Sequence, residues 1–561
     1  MRNKANKEQF VLAVIIYLLS SVAIALPLVT ITPQDYTYHD QAVASGTSLT
    51  VPYTITNNTP ATLYQVMASD LPKGVTSSVC PILISGSSCT LNLTIPASLT
   101  KGHKEIRSRF KVCVRKNEGC TLVSSANQLD INILNNSTFI AISDMHVDYF
   151  KAPPITYGDD TDLTLWNYTL DKITSLIKEQ SPAFIVFTGD VPAHGPWPNV
   201  NPNQAQDIMT VLTSLSGLPA ISANNLPVFY AFGNNDSLVS DYGEFFDAAN
   251  NRNLFYLDPT HNWPALNTNP DCSVSPTFAC TYTTTLPMPP EHAEDMAHAQ
   301  SQGYYSAYPL GSNVPFRLIS LNSVIFSRDY LPLQAPPTPQ LAEAQAEMDW
   351  LSNQLAFAEA NKESVYIIMH IPVGMDAFYN GDHHDMWNTT LHLNNGLLFR
   401  DAFLALMTQY KSTIRAVVSA HTHEDELRAL YPDQALMNME VLDVGVPGVT
   451  PNHFNNPGVQ VYLYDNTFQL TEAKTYYTTP NPSGWKSYSF QNDYACKKNS
   501  TLFSCVSTNI LPQLPAWKLE PQPIVGNPYE MNYPVRNSGY NPSPFSSWLA
   551  ILDTIQVVPI Q

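Results

Sequence analysis

The feature that most constrains this chain is a series of short, continuous apolar runs, several of which end directly in polar residues. The runs are TFIAIS, AFIVFT, PVFYAF, FRLISL, SVYIIM, IRAVVS and VQVYLYD, all within residues 137–465. Runs of this kind are typical of buried strands. Helical patterns lie between some of them, at residues 163–177 and 341–355, where apolar side chains recur every three or four positions. Strands that alternate with helices predict an α/β layered domain.

Polar side chains that can bind metals follow five of these runs at the point where each run ends. They are Asp144, His146, Asp190, Asn234, His370, His421 and His423. Loops beyond the carboxyl ends of strands form the ligand crevice of an α/β sheet, so we expect these side chains on one rim. Imidazole and carboxylate suit Zn, Fe or Mn. An Asp carboxylate can bridge two cations, and the pattern therefore predicts a two-metal centre that suits an anionic phosphate ester.

Composition narrows the class of protein and its partners. The 561 residues exceed one ordinary core and indicate several domains. Asp and Glu number 47 against 28 Lys and Arg, which gives a net charge of −19. This charge argues against nucleic acid or an anionic membrane as a partner held by bulk charge. Charged residues make up only 13% and Pro numbers 45, which suits an exported protein with long polar loops.

The N-terminus and the cysteines agree with export. Residues 1–25 combine three basic side chains, an apolar run and an A-x-A end, which predicts a cleaved signal peptide, with an uncleaved anchor as the alternative. No other stretch is long and apolar enough to cross a bilayer, so we expect no transmembrane anchor after cleavage. Close pairs of cysteines indicate local disulfides in a secreted or periplasmic protein, with a zinc site as the weaker alternative. The pairs are Cys80/Cys89, Cys113/Cys120, Cys272/Cys280 and Cys496/Cys505.

Three regions follow the signal peptide. Residues 28–135 alternate apolar and polar positions between frequent turns, which predicts a small all-β, Ig-like sandwich. Residues 136–475 carry the alternating strands and helices and the candidate ligands. Residues 476–561 are rich in Pro, Asn and aromatic residues with little periodicity, and we expect a C-terminal extension that packs on the preceding domain.

The order D-x-H, GD, GN-x-D, H and H-x-H resembles the calcineurin-like metallophosphoesterase superfamily. The motifs GDVPAH, GYYSAYPL, MHIPVG, AHTHEDEL and NNPGVQVYLYD are similar to its acid sphingomyelinase-like branch, over about residues 137–494. The resemblance implies a four-layer αββα sandwich that holds two divalent metal ions, with Zn as first choice and Fe or Mn as alternatives. It implies hydrolysis of a phosphodiester or phosphoanhydride by a metal-activated water. The β-sandwich is not covered, and stands where eukaryotic acid sphingomyelinases carry a saposin-like domain.

The family implies a role for each candidate residue. One metal would be held by Asp144, His146, Asp190 and His423, and the other by Asp190, Asn234, His370 and His421, so that Asp190 is the bridge. His194 matches a histidine proposed to donate a proton to the leaving group. Asn235 stands where the family usually has a histidine, and its amide can still donate a hydrogen bond to a phosphoryl oxygen.

Because Asn235 replaces the histidine that the family usually has, the resemblance does not decide between a phosphodiester and a phosphoanhydride substrate. A general acid contributes about 10²–10⁴ in rate where an alkoxide leaves, but a phosphate leaving group, with a pKa of about 6, barely needs one. Asn235 therefore favours phosphoanhydrides or other substrates with acidic leaving groups, and GNND also resembles the endopolyphosphatase branch. A catalytically inactive protein that binds a surface is the alternative from another class, although all seven ligand positions are filled.

Other polar residues have simpler interpretations. We expect Asp236 to be a structural carboxylate. His383 and His384 fit a solvated loop, with a position in the pocket wall as the alternative. Surface positions are expected for seven further histidines: His39, His103, His261, His292, His298, His392 and His453.

Overall fold

The computed structural model describes most of the chain. The described residues are 27–33, 42–44, 49–96, 99, 105–115, 118–124, 127–134, 137–222, 226–247, 249–250, 252–254, 302–310, 314–333, 338–377, 384–433, 438–497, 500–520, 526–539 and 547–560. The predicted signal peptide and the Cys272/Cys280 pair lie outside them. The chain forms two compact units, Met1–Asn136 and Ser137–Gln561. Among the described residues, no helix has both the length and the apolar character that a bilayer span requires.

The first unit is built mainly from antiparallel strands. They are β1 (Val29–Pro33), β2 (Ala42–Ala44), β3 (Leu49–Asn57), β4 (Leu63–Ser69), β5 (Thr76–Ser77), β6 (Val79–Leu83), β7 (Ser88–Ile95), β8 (Glu105–Ser108), β9 (Lys111–Val114), β10 (Glu118–Leu122) and β11 (Leu129–Leu134). The sheets have the orders β1-β3-β7-β5, β10-β9-β4-β6 and β2-β11-β8. Alternation along β7 buries Leu91, Leu93 and Ile95. The Ig-like identity of this unit stays a prediction.

Three disulfides join cysteines that the sequence pairs. Cys80–Cys89 joins β6 to β7, and Cys113–Cys120 joins the neighbouring strands β9 and β10. Cys496–Cys505 lies in the second unit. Such bonds persist in oxidising compartments, so they are consistent with an extracellular protein.

The second unit contains both strands and helices. Its strands are β12 (Ser137–Ile142), β13 (Phe184–Phe187), β14 (Val228–Tyr230), β15 (Phe246–Asp247), β16 (Arg252–Asn253), β17 (Tyr305–Ala307), β18 (Phe316–Ser320), β19 (Ser364–Ile368), β20 (Ile414–Ser419), β21 (Leu427–Leu430), β22 (Val441–Gly445), β23 (Gly458–Tyr464), β24 (Leu470–Tyr477), β25 (Lys486–Ser489) and β26 (Gln556–Val557). Its helices are α1 (Leu163–Gln180), α2 (Gln204–Ser216), α3 (Pro219–Ser222), α4 (Thr338–Ala360), α5 (Phe399–Gln409), α6 (Phe490–Asp493), α7 (Leu502–Cys505), α8 (Leu514–Trp517), α9 (Pro528–Asn532) and α10 (Trp548–Thr554). Each apolar run of the sequence forms a strand, and α1 and α4 cover the two helical patterns.

Two sheets of the second unit face each other across an aromatic core. Their strand orders are β14-β13-β12-β23-β24-β25 and β17-β18-β19-β20-β22-β21-β26. The ring centroids of Phe139 and Tyr366 are 5.8 Å apart, and those of Phe184 and Phe316 are 6.2 Å apart. Strands β12 to β14 are parallel, as are β18, β19, β20 and β22. The α/β class is confirmed, whereas the four-layer order stays a prediction.

The described C-terminal residues are part of the second unit. Strand β24 runs across residue 476, and β25 pairs with it. Near the end of the chain, β26 pairs with β21, so that residues 556–557 add a strand to the second sheet. The packing of this segment is therefore continuous with the sheets that precede it.

Candidate metal centre

Five strands present the predicted ligands just beyond their carboxyl ends. Asp144 and His146 follow β12, Asp190 follows β13, Asn234 follows β14, His370 follows β19, and His421 and His423 follow β20. The first three strands belong to one sheet and the last two to the other. The centre therefore lies where the carboxyl edges of two facing sheets meet, as the ligand crevice of an α/β fold does.

Asp190 lies in the middle of the cluster. Its Oδ2 atom is 3.3 Å from Nε2 of His146 and 3.2 Å from Nε2 of His370. Asp144 lies beside it, with Oδ1 3.4 Å from Nε2 of His423 and 3.9 Å from Nε2 of His370. The structure thus brings these side chains, distant in sequence, into direct contact.

Asn234 and His421 lie on the His370 side of the cluster. Asn234 Oδ1 is 3.1 Å from Nε2 of His370, and His421 Nδ1 is 3.2 Å from the same atom. Three sets of potential ligand atoms each lie within 4.8 Å of one another: Asp144, His146 and Asp190; Asp190, His370 and His421; and His146, His194 and His423. Asp190 is common to the first two sets.

The cluster is buried, and one of its two carboxylates lacks hydrogen bonds. Asp144 is completely buried, and neither of its carboxylate oxygens has a hydrogen-bond partner. Burial raises the pKa of Asp144 to about 6, although the nearby imidazoles oppose the shift, so ionising this carboxylate costs free energy in the absence of a cation. A bound cation removes that cost, so this donor set fits a metal ion.

The backbone at the ligands is held in an unusual conformation. Asp144, His146, Asp190, His421 and His423 all have a positive φ, between 38° and 73°. This left-handed region is uncommon for residues other than glycine, and costs about 1–3 kcal/mol at each position. Strain of this kind concentrates at functional sites, where the surrounding structure imposes it.

Backbone carbonyl groups fix the orientation of two imidazoles. His146 Nδ1 lies 3.0 Å from the carbonyl oxygen of Pro192, and His370 Nδ1 lies 2.6 Å from that of Thr188. A carbonyl only accepts, so each Nδ1 donates and each Nε2 faces the carboxylates. His421 is turned the other way, since the hydroxyl of Tyr242 lies 3.3 Å from its Nε2. The sequence motifs carried no signal for Tyr242.

The electrostatics of the cluster suit a cation. Burial, with the neighbouring charge of His370, holds the pKa of His421 well below its usual range, and burial with His453 does the same for His423. At His146 and His370, burial opposes protonation, but Asp190 outweighs it and raises each pKa to about 9. A metal ion binds the neutral form of imidazole, which is the form that the lowered pKa values of His421 and His423 favour. The raised pKa values of His146 and His370 show that the nearby carboxylates strongly attract positive charge.

Asp236 is the structural carboxylate that we expected. It accepts hydrogen bonds from the backbone N–H groups of Asp190 and Val191 at 2.9 Å and of Gly233 at 2.8 Å. These bonds tie the turn after β13 to the turn after β14. Gly233 must remain small, because a Cβ at this position would lie 2.1 Å from Oδ1 of Asp190.

Asn235 contacts the carboxylate that two of the ligand sets share. Its backbone N–H donates to Oδ1 of Asp190 at 2.8 Å, and its side-chain Nδ2 donates to Oδ2 at 3.0 Å. The amide that we expected to meet a phosphoryl oxygen is therefore engaged in holding Asp190. A catalytic role for Asn235 stays a prediction.

His194 lies at the edge of the cluster, with its ring stacked on that of His146 at 3.8 Å between centroids. Its Nδ1 is 2.7 Å from Oδ1 of Asp160, and its backbone N–H donates to Oδ2 of the same residue at 2.9 Å. Because Asp160 engages Nδ1, Nε2 is the ring nitrogen through which His194 can meet a substrate. Sequence reasoning missed Asp160, because its distance from His194 along the chain matches no motif.

The expected surface position of His453 is wrong. Its half-buried ring stacks on that of His423 at 3.9 Å between centroids, and its Nδ1 lies 2.9 Å from the carbonyl oxygen of Thr422. The contact between His453 and His423 could not be predicted from the sequence, because His453 does not follow one of the five ligand-bearing strands. His392 is exposed as expected, and His384 is half-buried. Outside the described residues lie His39, His103, His261, His292, His298 and His383.

Comparisons with known proteins give consistent matches. Sphingomyelinase phosphodiesterase D of Dictyostelium discoideum is 24% identical over 57% of this chain and 61% of its own length. Sphingomyelin phosphodiesterase of Homo sapiens is 25% identical over 56% of this chain and 41% of its own length. Cyclic GMP-AMP phosphodiesterase SMPDL3A of Homo sapiens is 25% identical over 53% of this chain and 56% of its own length. The match thus spans about two fifths to three fifths of each relative.

A family model matches the part of the chain that holds the cluster. Residues 137–425 match the model described as Calcineurin-like phosphoesterase, which is just over half of the chain. This range includes all seven predicted ligands, from Asp144 to His423. Together with the sphingomyelin phosphodiesterase relatives, it confirms the family and branch that the motifs indicate. This chain belongs to the calcineurin-like phosphoesterase family.

Proposed function

We propose that this protein is an exported phosphodiesterase that uses two divalent metal ions, Zn as first choice and Fe or Mn as alternatives. The observation that carries the proposal is that Asp190 belongs to two ligand sets at once. One metal would be held by Asp144, His146, Asp190 and His423, and the other by Asp190, Asn234, His370 and His421. A carboxylate shared by two sets is what a bridged pair of cations requires.

Each part of the cluster has a defined task in this reaction. Metal ions at this centre supply Lewis acidity toward the phosphoryl oxygens and an ionised water near neutral pH. Asn235 and Asp236 hold Asp190 and its turn in place through their hydrogen bonds. His194 gives a proton through Nε2 to the departing oxygen, while Asp160 keeps its ring oriented through Nδ1.

The proposed substrate class rests on the names of the relatives, and the second candidate rests on Asn235. The similar proteins are named as phosphodiesterases, which favours a phosphodiester over a phosphomonoester. An endopolyphosphatase-like activity on phosphoanhydrides is the second candidate. Asn235 favours this second activity, because position 235 has no imidazole that could protonate a poor leaving group. The side-chain amide of Asn235 is instead hydrogen-bonded to Asp190. A phosphate leaving group needs little protonation.

Export is supported by the three disulfides and by the predicted signal peptide at residues 1–25. A catalytically inactive binding protein is the candidate from another class. Against it, the predicted ligands are all retained and lie in one buried cluster. Two equivalents of transition metal in the purified protein would support the enzyme, and none would favour the binding protein.

The proposal is tested by metal analysis and a substrate panel. Wild type, Asp190→Asn and the control Asp171→Asn, which changes an exposed residue of α1, are compared on bis(p-nitrophenyl) phosphate, sphingomyelin, nucleoside triphosphates and polyphosphate. We expect Asp190→Asn to lose metal and all turnover, and the control to retain both. Full activity in metal-depleted Asp190→Asn would overturn the proposal. Polyphosphate as the sole substrate would select the second candidate.

A further inference from the structure

The first turn of helix α2 carries two buried polar side chains, Gln204 and Asp207. Gln204 is 5% exposed, and Asp207 is completely buried. A polar side chain is stable in a protein interior only where hydrogen bonds satisfy it. The partners of these two side chains lie in the loops that follow β12, β13 and β14, and each of these loops carries candidate metal ligands. The start of α2 is therefore a common support for three parts of the metal centre.

Asp207 joins the loop after β12 to the loop after β13. Its Oδ1 atom accepts a hydrogen bond from the backbone N–H of Tyr149 at 2.9 Å, three positions after the candidate ligand His146. The backbone N–H of Ala193, which directly precedes His194, also donates to this carboxylate. One side chain thus holds the backbone close to a candidate ligand and next to the proposed proton donor.

Asp207 also fixes the far end of the loop that connects His194 to α2. Its Oδ2 atom accepts a hydrogen bond from Nδ2 of Asn201 at 3.1 Å, and Asn201 is itself buried. The near end of the same loop folds back tightly, because a Cβ at Gly195 would lie 2.5 Å from the backbone nitrogen of Asn201. The backbone that follows His194 is therefore anchored to the helix through Asp207.

Gln204 connects the same helical turn to the loop after β14. Its Nε2 atom donates to the carbonyl oxygen of Asn235 at 2.9 Å and to that of Ser237 at 2.8 Å. Asn235 in turn donates two hydrogen bonds to Asp190, the carboxylate that two ligand sets share. Helix α2 thus reaches the middle of the metal centre through Gln204, and the backbone beside His194 through Asp207.

The position of His194 matters because a proton donor must come within about 2.6–3.2 Å of the departing oxygen. Asp160 orients the ring of His194 through Nδ1, but the ring can reach the substrate only if its backbone lies at the correct distance from the centre. A displacement of about 1 Å costs about 10²-fold in rate. A helix holds a site more precisely than a loop does, and Asp207 transfers that precision to the loop of His194.

We propose that Asp207 is a positioning residue that holds His194 at the distance from Asp190 at which the leaving group can be protonated. The inference rests on the proposed function, in which His194 is the proton donor. Asp207 contacts backbone groups and Asn201, so its effect on the reaction must pass through His194. The effect should therefore disappear where His194 is absent, and where the leaving group departs without a proton.

The test is a double-mutant cycle between Asp207 and His194 in the metal-loaded, full-length protein. Assays run at about pH 8.5, because burial raises the pKa of Asp207 to about 7 and the carboxylate must be ionised. On a diester with an alkoxide leaving group, we expect Asp207→Ala to lower kcat by about 10–100-fold, with less than about a twofold change in KM. In the His194→Ala background, the same substitution should lower kcat by less than about twofold.

Two further variants and a second substrate complete the comparison. Asp207→Asn keeps one acceptor oxygen, so its kcat should lie between those of wild type and Asp207→Ala. Asp171→Asn, which changes an exposed residue of α1, should behave as wild type. On bis(p-nitrophenyl) phosphate, Asp207→Ala should lose less than about twofold, because p-nitrophenolate leaves without a proton. We expect all variants at position 207 to keep the metal content of wild type.

Hydrogen exchange measures the position of the loop without reference to activity. The backbone amides of Tyr149 and Ala193 donate to Asp207, so they should exchange faster in Asp207→Ala than in wild type. The amides of β13, which pair within the sheet, should keep their rates. Unchanged exchange at both amides would mean that Asp207 does not hold the loop, and would overturn the proposal.

The kinetic outcomes separate this inference from the proposed function. Equal losses of kcat on both substrates, or a loss that persists in the His194→Ala background, would show that Asp207 supports the fold alone, and would overturn the positioning role. Wild-type activity of His194→Ala on the alkoxide diester would instead refute His194 as the proton donor. The hold of Asp207 on the loop would then still be decided by the exchange rates of the two amides.

Discussion

The Nδ1 atom of His194 lies 2.7 Å from Oδ1 of Asp160, at the edge of a cluster of seven candidate metal ligands. Burial favours the neutral acid at Asp160, but the charge of His194 and its hydrogen bonds outweigh burial and hold the pKa of Asp160 below its usual range. Asp160 is thus an ionised acceptor that fixes the ring of His194. The pair gives the cluster an oriented group for moving a proton.

The contact between His194 and Asp160 predicts that the loss of activity in His194→Ala depends on the leaving group of the substrate. His194→Ala should lower kcat by about 10²–10⁴ on a diester with an alkoxide leaving group, but by less than about tenfold where p-nitrophenolate or phosphate leaves. The reason is that the latter groups depart without needing a proton. Steady-state kinetics on a matched pair of substrates measure the difference. His392→Ala removes an exposed histidine and serves as the control. Equal losses on both substrates would remove His194 as the donor.

Removal of metal should destabilise the fold. Asp144 and Asp190 lie together in the buried cluster, and a bound cation compensates their charge. A ligand present at 100 times its Kd contributes about 2.7 kcal/mol to folding, so a chelator should lower the Tm by several degrees, and added Zn should restore it. Calorimetry measures the shift. A chelator already saturated with Zn is the control, and an unchanged Tm after verified metal removal would contradict the assignment.

Gly233→Ala should disable the centre without unfolding the chain. The new Cβ would lie 2.1 Å from Oδ1 and 2.6 Å from Cγ of Asp190, so the shared carboxylate must move. A displacement of about 1 Å costs about 10²-fold in activity. Activity and metal content are measured together with the circular dichroism spectrum. Gly539→Ala is the control, because the nearest atom to its added Cβ is 3.4 Å away. Wild-type activity in Gly233→Ala would mean that Asp190 can shift freely.

Glu343 should make stability depend on pH. Burial raises its pKa from 4.5 to about 7, although a hydrogen bond from the Tyr330 hydroxyl opposes the shift. The folded state therefore holds the proton more tightly than the unfolded state. Its contribution is fully present below about pH 4.5 and is lost as the pH rises to about 7, by about 3 kcal/mol.

Glu343→Gln tests this dependence because glutamine cannot lose the proton. Its free energy of unfolding, compared with wild type, should rise across the same interval of pH. Denaturant titrations at a series of pH values measure the difference. Glu359→Gln, exposed on the same helix, should run parallel to wild type. A parallel curve for Glu343→Gln would show that burial of this carboxyl has no effect on its proton affinity.

The strands and the candidate ligands could be predicted from the sequence because both depend on local pattern. A buried strand must be apolar along its length, so runs such as those that form β13 and β19 are recognisable without a partner. The polar residue that follows such a run lies at the edge of the sheet, whichever strand pairs with it. His370 and Asp190 could therefore be assigned to one rim from their positions after strands alone.

Contacts between segments distant in sequence were decided only by the tertiary structure. Asp160 meets His194, and His453 stacks on His423, although neither pair follows a periodic spacing. Asn235 illustrates the same limit: its residue type permits a contact with phosphate, but the turn after β14 turns its amide toward Asp190. Which hydrogen bond a short polar side chain makes depends on what the fold brings within 3 Å of it, and the local sequence does not encode that distance.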